Sequence, residues 1–235
     1  MKTMMLVDFL ALTKSLPKNV ALWALLATGV CLIAGSATPV ILLVGFPMSN
    51  MVLMPILLGD QRRGWVAFRQ ALPLSRADVV AGRYASIAVV VAGCVALGVA
   101  AYAASYALNA LVPGLPIMQH FTPGFDAPGV VSFAAGTFAL TIVMFSLLLP
   151  FMLANSRRKL VNYIPFAFML GIFAWIYLFR SIDFDTFAPI VGQIIAIAHT
   201  LGGSLALAAC VTAAALVLYV ISEVAAVRRY RSHDL

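Results

Sequence analysis

Long apolar stretches separated by short polar segments dominate the pattern of hydrophobic and polar positions along this chain. Runs such as 20–34 and 137–149 are nearly unbroken by polar side chains. A membrane-spanning β-strand is about ten residues long and alternates in polarity, whereas a spanning helix needs about 20 mostly apolar residues. The pattern therefore predicts an all-α membrane protein rather than a β-barrel.

Six of the apolar segments are interpreted as transmembrane helices. We predict them at about 20–34, 39–59, 86–112, 130–154, 161–179 and 202–224. The N-terminal stretch 1–18 mixes apolar and charged residues, and we expect it to lie along the membrane interface. A shorter stretch, 187–198, is predicted to be an outer or re-entrant segment. The chain 1–235 is thus expected to form a single transmembrane domain, with a cytoplasmic segment at 60–85.

The composition agrees with lipid as the main solvent of this chain. Hydrophobic residues make up 63% of it and charged residues only 10%, whereas soluble globular chains carry roughly 25% charged residues. In a bilayer core every backbone N–H and C=O must be paired within the protein. Helices meet this requirement within each segment.

The basic residues indicate the orientation of the chain rather than a nucleic-acid partner. The formal net charge is +7, and the Lys and Arg residues cluster in alternate gaps between the apolar segments. With a cytoplasmic N-terminus, 14 of the 15 basic residues lie inside and only Arg180 lies outside, as the positive-inside rule requires. We therefore predict that both termini are cytoplasmic, and we expect no nucleic-acid binding.

The sequence offers no recognisable catalytic or metal-binding constellation. It contains neither an HExxH nor a GxSxG motif, and its histidines and cysteines are scattered. These residues are His120, His199, His233, Cys31, Cys94 and Cys210. We predict no catalytic residue and no metal site.

Energy for any uphill transport is predicted to come from another subunit. Ion-coupled transporters commonly place ionisable residues inside their helix bundle, but Glu223 alone lies within a predicted span, close to its cytoplasmic end. A phosphate-binding GxxxxGK[ST] loop is also absent from the sequence. The chain is therefore expected to have no cofactor of its own, and any ATP would be bound by a partner.

The predicted cytoplasmic segment 60–85 carries five arginines and contains a helix-start signal. Ser75 is a residue type that caps helix N-termini, and Asp78 follows three residues later, as in a shortened capping box. This pattern predicts a helix that starts beside Ser75 and runs into the third span.

Three segments carry a resemblance to a known family. They are LVDFL at 6–10, DQRRGW at 60–65 and LPLSRADVVAGRY at 72–84. They resemble the membrane subunit of ABC-2 type ATP-binding-cassette transporters, particularly the compact bacterial branch linked to peptide and antibiotic export or immunity. The last segment is similar to the LPxSR stretch and following basic-aromatic pair of that branch. Asp60 and Arg83 stand where Glu and Lys are common, and both keep the charge.

The resemblance implies two paired permease subunits, as a homodimer or heterodimer, each resting on a cytoplasmic ATPase in a bacterial cytoplasmic membrane. The segment between the second and third spans would couple the ATPase to the permease. The expected coupling residues are Leu72, Pro73, Leu74, Ser75, Arg76, Asp78 and Arg83. Candidates for the translocation path on the second and fifth spans are Asn50, Met51, Met54, Phe166 and Phe173.

Two other functions stay open at the level of sequence. A six-helix substrate-binding module, like that of vitamin importers, would bind a small ligand tightly when purified alone. A structural or immunity membrane protein would work without transport and without dependence on an ATPase. The substrate, the direction of transport and the choice between homodimer and heterodimer are not determined by the sequence.

Overall fold

The computed structural model describes residues 38–59, 76–111, 125–154 and 196–232, together with positions 25, 170 and 192–193. These ranges contain helices, turns and short connections, and no strand. Four long helices carry the architecture. They are α1 (Val40–Gly59), α2 (Arg76–Leu111), α3 (Ala127–Ala154) and α4 (Leu201–Ser232).

Three of the described helices are long and apolar enough to cross a membrane. The apolar stretches are Ala77–Leu108 in α2, Ala127–Pro150 in α3 and Leu201–Arg228 in α4, while the apolar part of α1, Val40–Leu53, is shorter. The prediction of a helical, multi-pass membrane protein is confirmed in this form. The count of six spans and the cytoplasmic position of both termini stay predictions.

The helix bounds refine the predicted spans. The second predicted span, 39–59, coincides with α1, and the helix expected beside Ser75 begins at Arg76 and continues to Leu111. The prediction of one helix leading from the segment 60–85 into the third span is confirmed. Helix α3 begins earlier than predicted, at Ala127, and α4 continues past its predicted end to Ser232.

Several predicted segments lie outside the described residues. The interfacial stretch 1–18 is one of them, as is the part of the cytoplasmic segment between 60 and 75. The first and fifth predicted spans are described only at Leu25 and Leu170, which are both helical. These assignments stay predictions.

Two glycines allow α1 to approach its neighbours closely. A Cβ atom on Gly98 of α2 would lie 2.8 Å from the carbonyl oxygen of Ile41, and one on Gly45 of α1 would lie 2.9 Å from Cγ2 of Thr137 in α3. The second glycine also faces Val95, so α1 and α2 run antiparallel. Small residues at helix crossings are the usual device of membrane bundles, because lipid gives helices no hydrophobic drive to associate and close packing must supply the attraction.

The buried side chains lie mainly between α1, α2 and α3. Helix α4 contributes a single narrow stripe of apolar residues, Ala215, Tyr219 and Ala226, which packs against this core, and its most extensive contact is with α3. Much of its remaining surface is apolar and exposed, as at Val217 and Ile221. Such a surface is compatible with lipid, which is as apolar as these side chains.

Candidate functional site

The described residues hold no group of three or more His, Cys, Asp or Glu side chains that could bind a metal ion. Two cysteines lie in the described part, Cys94 in the interior and Cys210 at the exposed surface, and both are free thiols. Polar side chains that connect helices are the remaining candidates for a functional site in the described part.

The predicted coupling residues fall into two groups. Those at 72–75 lie outside the described residues, whereas the other three lie on α2. Arg76 is the first residue of α2, and Asp78 lies in its first turn with an exposed side chain. An acidic residue is favourable there because the N-terminus of a helix carries a partial positive charge.

Arg83 has a different environment from Asp78. Its side chain is only 1% exposed and is among the largest fully buried side chains of the described part. Its guanidinium therefore lies inside the bundle and not at the outer surface of the chain. The structure thus places the predicted coupling residues Asp78 and Arg83 on one helix but in different environments.

The predicted path residues are described only in part. Asn50 is partly buried, and its Nδ2 donates a hydrogen bond to the carbonyl oxygen of Phe46 at 2.9 Å. Its Oδ1 atom is buried and has no hydrogen-bond partner among the described residues, while the neighbouring Met51 is 43% exposed. The side chain of Met54 and the residues Phe166 and Phe173 lie outside the described part, so the structure does not bring this set together.

Most interior hydroxyl groups donate to their own helix. The Ser49 hydroxyl donates to the carbonyl oxygen of Gly45 at 2.6 Å, and the Thr141 hydroxyl donates to that of Thr137 at 2.7 Å. Ser105 makes the same type of bond, to Ala101. These bonds satisfy buried donors locally, so they give no information about how one helix is attached to another.

Three hydroxyls, those of Tyr84, Tyr219 and Ser222, break this rule and form a network between three helices, together with the backbone carbonyl of Ser146. Tyr219 of α4 donates its hydroxyl proton to the backbone carbonyl of Tyr84 in α2 at 2.8 Å. The hydroxyls of Tyr84 and Ser222 are also 2.8 Å apart, and Ser222 donates to the carbonyl oxygen of Ser146 in α3. Since the single proton of Ser222 is used there, Tyr84 is the donor to Ser222. We call these residues the tyrosine–serine network.

The network includes a carbonyl group that α3 cannot satisfy by itself. Pro150 lies inside α3 and has no N–H, so the carbonyl of Ser146, four residues earlier, loses its usual helical partner. In a bilayer core such a freed carbonyl must find another donor, often a side-chain hydroxyl from a neighbouring helix. The hydroxyl of Ser222 is that donor.

Sequence analysis did not identify this network. Tyr84 appeared only inside the segment 72–84, and the other three residues were not singled out. One signal was present, because a proline within a predicted span marks an unpaired carbonyl four residues earlier. Nothing in the sequence indicated that the donor would be Ser222, which is distant along the chain from Ser146.

The other end of α2 makes a different contact with α3. The hydroxyl of Tyr102 accepts a hydrogen bond from the backbone N–H of Asp126 at 3.2 Å. Phe125 packs edge-on against Tyr102 and Tyr106, with ring centroids 5.7 and 5.9 Å apart. Asp126 in turn accepts a hydrogen bond from the N–H of Gly129 at 2.9 Å and caps the start of α3.

The long apolar helices, their glycine-mediated crossing and the interhelical polar network define a helical multi-pass membrane protein. The chain belongs to the ABC-2 family of transporter proteins, because a family model described as "ABC-2 family transporter protein" matches residues 3–231. The resemblance found in three short segments is thereby confirmed over nearly the whole chain. No curated protein and no solved structure matches it. Membership makes this chain a membrane component of an ATP-binding-cassette transporter.

Proposed function

We propose that this chain is the permease subunit of an ATP-driven exporter in a bacterial cytoplasmic membrane. It pairs with a second permease subunit, identical or different, and with a separate cytoplasmic ATPase that binds the ATP. The exported substrate is a peptide, an antibiotic or another amphipathic molecule. The family match supports the transporter class, and the described helices support a mechanical route from the ATPase to the membrane.

The observation that carries this proposal is the continuity of α2. This helix has 36 residues, from Arg76 to Leu111, which corresponds to about 54 Å of helix at 1.5 Å per residue. The hydrocarbon core of a bilayer is only about 30 Å thick. A helix of this length extends from the segment 72–75 into the bundle, so a displacement at its first turn is transmitted along rigid backbone.

Asp78 and Arg83 have separate roles in this proposal. Asp78 is exposed in the first turn of α2, where a carboxylate is able to pair with a basic residue of the ATPase. Arg83 is buried and holds the first part of α2 within the bundle. Leu72, Pro73 and Leu74 provide the apolar docking contact, because leucine side chains next to a helix start gain nothing from exposure to water.

The path for the substrate is proposed to border the second and fifth spans. The buried Oδ1 atom of Asn50, which has no partner among the described residues, offers an acceptor to a polar group of the substrate. Met51 presents a flexible apolar side chain beside it, and thioether side chains adapt to varied ligands. An amphipathic substrate fits this mixture, with Met54, Phe166 and Phe173 as further apolar contacts.

The coupling role is tested by the double substitution Leu72→Asp and Leu74→Asp. We expect the variant to insert normally into the membrane but to lose the ATPase on gentle solubilisation and purification, because charged side chains cannot enter an apolar contact without a large desolvation penalty. The matched control is Leu115→Asp with Ile117→Asp, a second pair that flanks a proline, in the predicted outer loop. Co-purification of the ATPase with the first variant at the wild-type level would remove the segment from the mechanism.

A second measurement separates the exporter from the two other functions. Stoichiometric co-purification of an ATPase supports the permease. Tight binding of a small ligand by the chain alone indicates a substrate-binding module, and full biological activity without any ATPase indicates a non-transporting membrane protein. Export is then measured in inverted vesicles, as ATP-dependent uptake of a fluorescent amphipathic peptide.

A further inference from the structure

We propose that the tyrosine–serine network (Tyr84, Ser146, Tyr219 and Ser222) fixes the first part of α2 to α3 and α4, so that these segments move as one body during the ATP-driven cycle. Its members are positioning residues, since they act on other helices and not on a substrate. Only the movement during an ATP-driven cycle rests on the proposed function. The attachment of the three helices to one another is a property of the chain.

Because the network is buried, its hydrogen bonds are not easily exchanged for hydrogen bonds to water. Tyr84 is 1% exposed, and Tyr219, Ser222 and Ser146 are buried as well. Water cannot replace a lost partner at such a position, so breaking a bond leaves a buried polar group unpaired. The helices are therefore held in the bonded arrangement more firmly than packing alone would hold them.

Two of the acceptors in the network are backbone carbonyls. Tyr219 donates to the carbonyl of Tyr84 in α2, and Ser222 donates to the carbonyl of Ser146 in α3. A side-chain acceptor is able to rotate away, but a carbonyl moves only with its helix. The bonds consequently fix the register of α4 against two helix backbones. The tilted contact of the Tyr84 and Tyr219 rings, 4.8 Å between centroids, adds to the same joint.

The position of the network connects it with the coupling segment. Tyr84 lies about two helical turns beyond the start of α2, and the intervening residues are continuous helix. A displacement of the first turn of α2 thus reaches the network before it reaches the middle of the bundle. Through Ser222 it is passed to α4 and through Ser146 to α3.

Pro150 supplies an internal test of this arrangement. Replacing Pro150 with Ala restores the N–H that the Ser146 carbonyl lacks, so this carbonyl no longer depends on Ser222. We expect Ser222→Ala to lower the thermal denaturation midpoint of the purified chain clearly less in the Pro150→Ala background than in the wild type. Equal effects in both backgrounds would show that the two residues act independently, and that would overturn the role of the Ser146 carbonyl.

The attachment itself is measured with two spin labels on the chain in lipid nanodiscs. Val89 of α2 and Val224 of α4 are 48% and 47% exposed, and each is replaced by Cys after Cys31, Cys94 and Cys210 have been changed to Ala. This doubly labelled chain is the parent of the variants.

We expect a narrow distribution of label-to-label distances for the parent and a clearly broader one for Ser222→Ala. Ser222→Thr keeps the hydroxyl, and we expect it to restore the narrow distribution. Tyr102→Phe removes a hydroxyl from the other end of α2 and serves as the control. A narrow distribution in Ser222→Ala would overturn the proposal.

The same labels in the complex with the ATPase report on the cycle. We expect ATP to leave the label distance of the parent unchanged and to change it in Ser222→Ala. ATP-dependent uptake of the fluorescent amphipathic peptide per ATP hydrolysed should fall about fivefold or more in that variant, in the range of typical coupling energies, with ATPase association intact. An unchanged transport ratio in Ser222→Ala would overturn the role in the cycle. Failure of any ATPase to associate would contradict the proposed function instead, while the nanodisc measurement still decides the attachment.

Discussion

The two ends of α2 are attached to the rest of the bundle by different kinds of contact. Near its N-terminal end, Tyr84 takes part in a chain of buried hydrogen bonds that includes residues of α3 and α4. In the C-terminal half of α2, Gly98 lies directly against the backbone of Ile41. Tyr102 there makes one longer hydrogen bond to the start of α3, next to the 58% exposed Phe125.

The difference shows that one membrane helix combines directional contacts near one end with a steric contact further along. Hydrogen bonds are directional, so the tyrosine–serine network fixes the rotation of α2 as well as its distance from its neighbours. A glycine contact is steric, and it limits only how closely two backbones approach. The rotational register of α2 is thus set by the hydrogen bonds near Tyr84, whereas the contact at Gly98 sets how closely α1 and α2 approach each other.

The largest expected effect is in a thiol-labelling experiment that identifies which end of α2 faces the cytoplasm. On a background without Cys31, Cys94 and Cys210, Phe125→Cys should react with an impermeant thiol reagent in intact cells, and Gly64→Cys should react only after permeabilisation. The reason is the distribution of basic residues, which puts the segment 60–85 inside. The opposite labelling pattern would reverse the orientation and with it the proposed meeting of α2 with an ATPase.

Gly98→Leu should disrupt the steric contact. The Cβ atom of any side chain at this position would lie 2.8 Å from the carbonyl oxygen of Ile41. Overpacking of this type typically destabilises a protein by about 1–3 kcal/mol. We expect Gly98→Leu to have a lower midpoint of thermal denaturation in detergent than the wild type. Fluorescence-detected gel filtration after heating measures this midpoint. Gly93→Leu on the same helix is the control, since a Cβ there has no atom within 4 Å. Equal midpoints for the two variants would contradict the close crossing.

The smallest expected effect compares the two tyrosines directly. Tyr84→Phe removes the hydrogen bond to Ser222, whereas Tyr102→Phe removes the longer bond from Asp126. Hydrogen bonds between membrane helices average about 0.6 kcal/mol and reach about 1.7 kcal/mol, so we expect Tyr84→Phe to be the more destabilising change by several tenths of a kcal/mol. Equilibrium unfolding in mixed micelles measures the difference. A larger loss for Tyr102→Phe would contradict the stronger hydrogen bonding of α2 near Tyr84.

Local sequence patterns were sufficient to locate the described helices. The apolar segment at 39–59 became α1, and the Ser75–Asp78 signal correctly indicated a helix that begins at Arg76. Such patterns succeed because a membrane helix satisfies all its backbone groups within one segment, so its existence depends on neighbouring residues in the chain. The family, too, was recognisable from short segments and was confirmed by the match over residues 3–231.

The start of α3 was missed for a reason that is also local. Pro128 and Gly129 make the stretch before 130 look like a turn, but proline is well tolerated in the first turn of a helix. The carboxylate of Asp126 then accepts a hydrogen bond from Gly129 and caps the helix. The residues needed for this assignment were therefore present in the sequence.

The sequence by itself determined the membrane environment, the positions of the described helices and the family, because these depend on composition and on nearby residues. Only the tertiary structure decided that Arg83 is buried, that Gly98 meets Ile41, and that Ser222 supplies the donor missing at Ser146. Pro150 predicts a carbonyl without a helical partner, yet a hydroxyl on any neighbouring helix is able to donate a hydrogen bond to it. The choice is made by how the helices pack, and packing depends on pairs of residues that the chain brings together from distant positions.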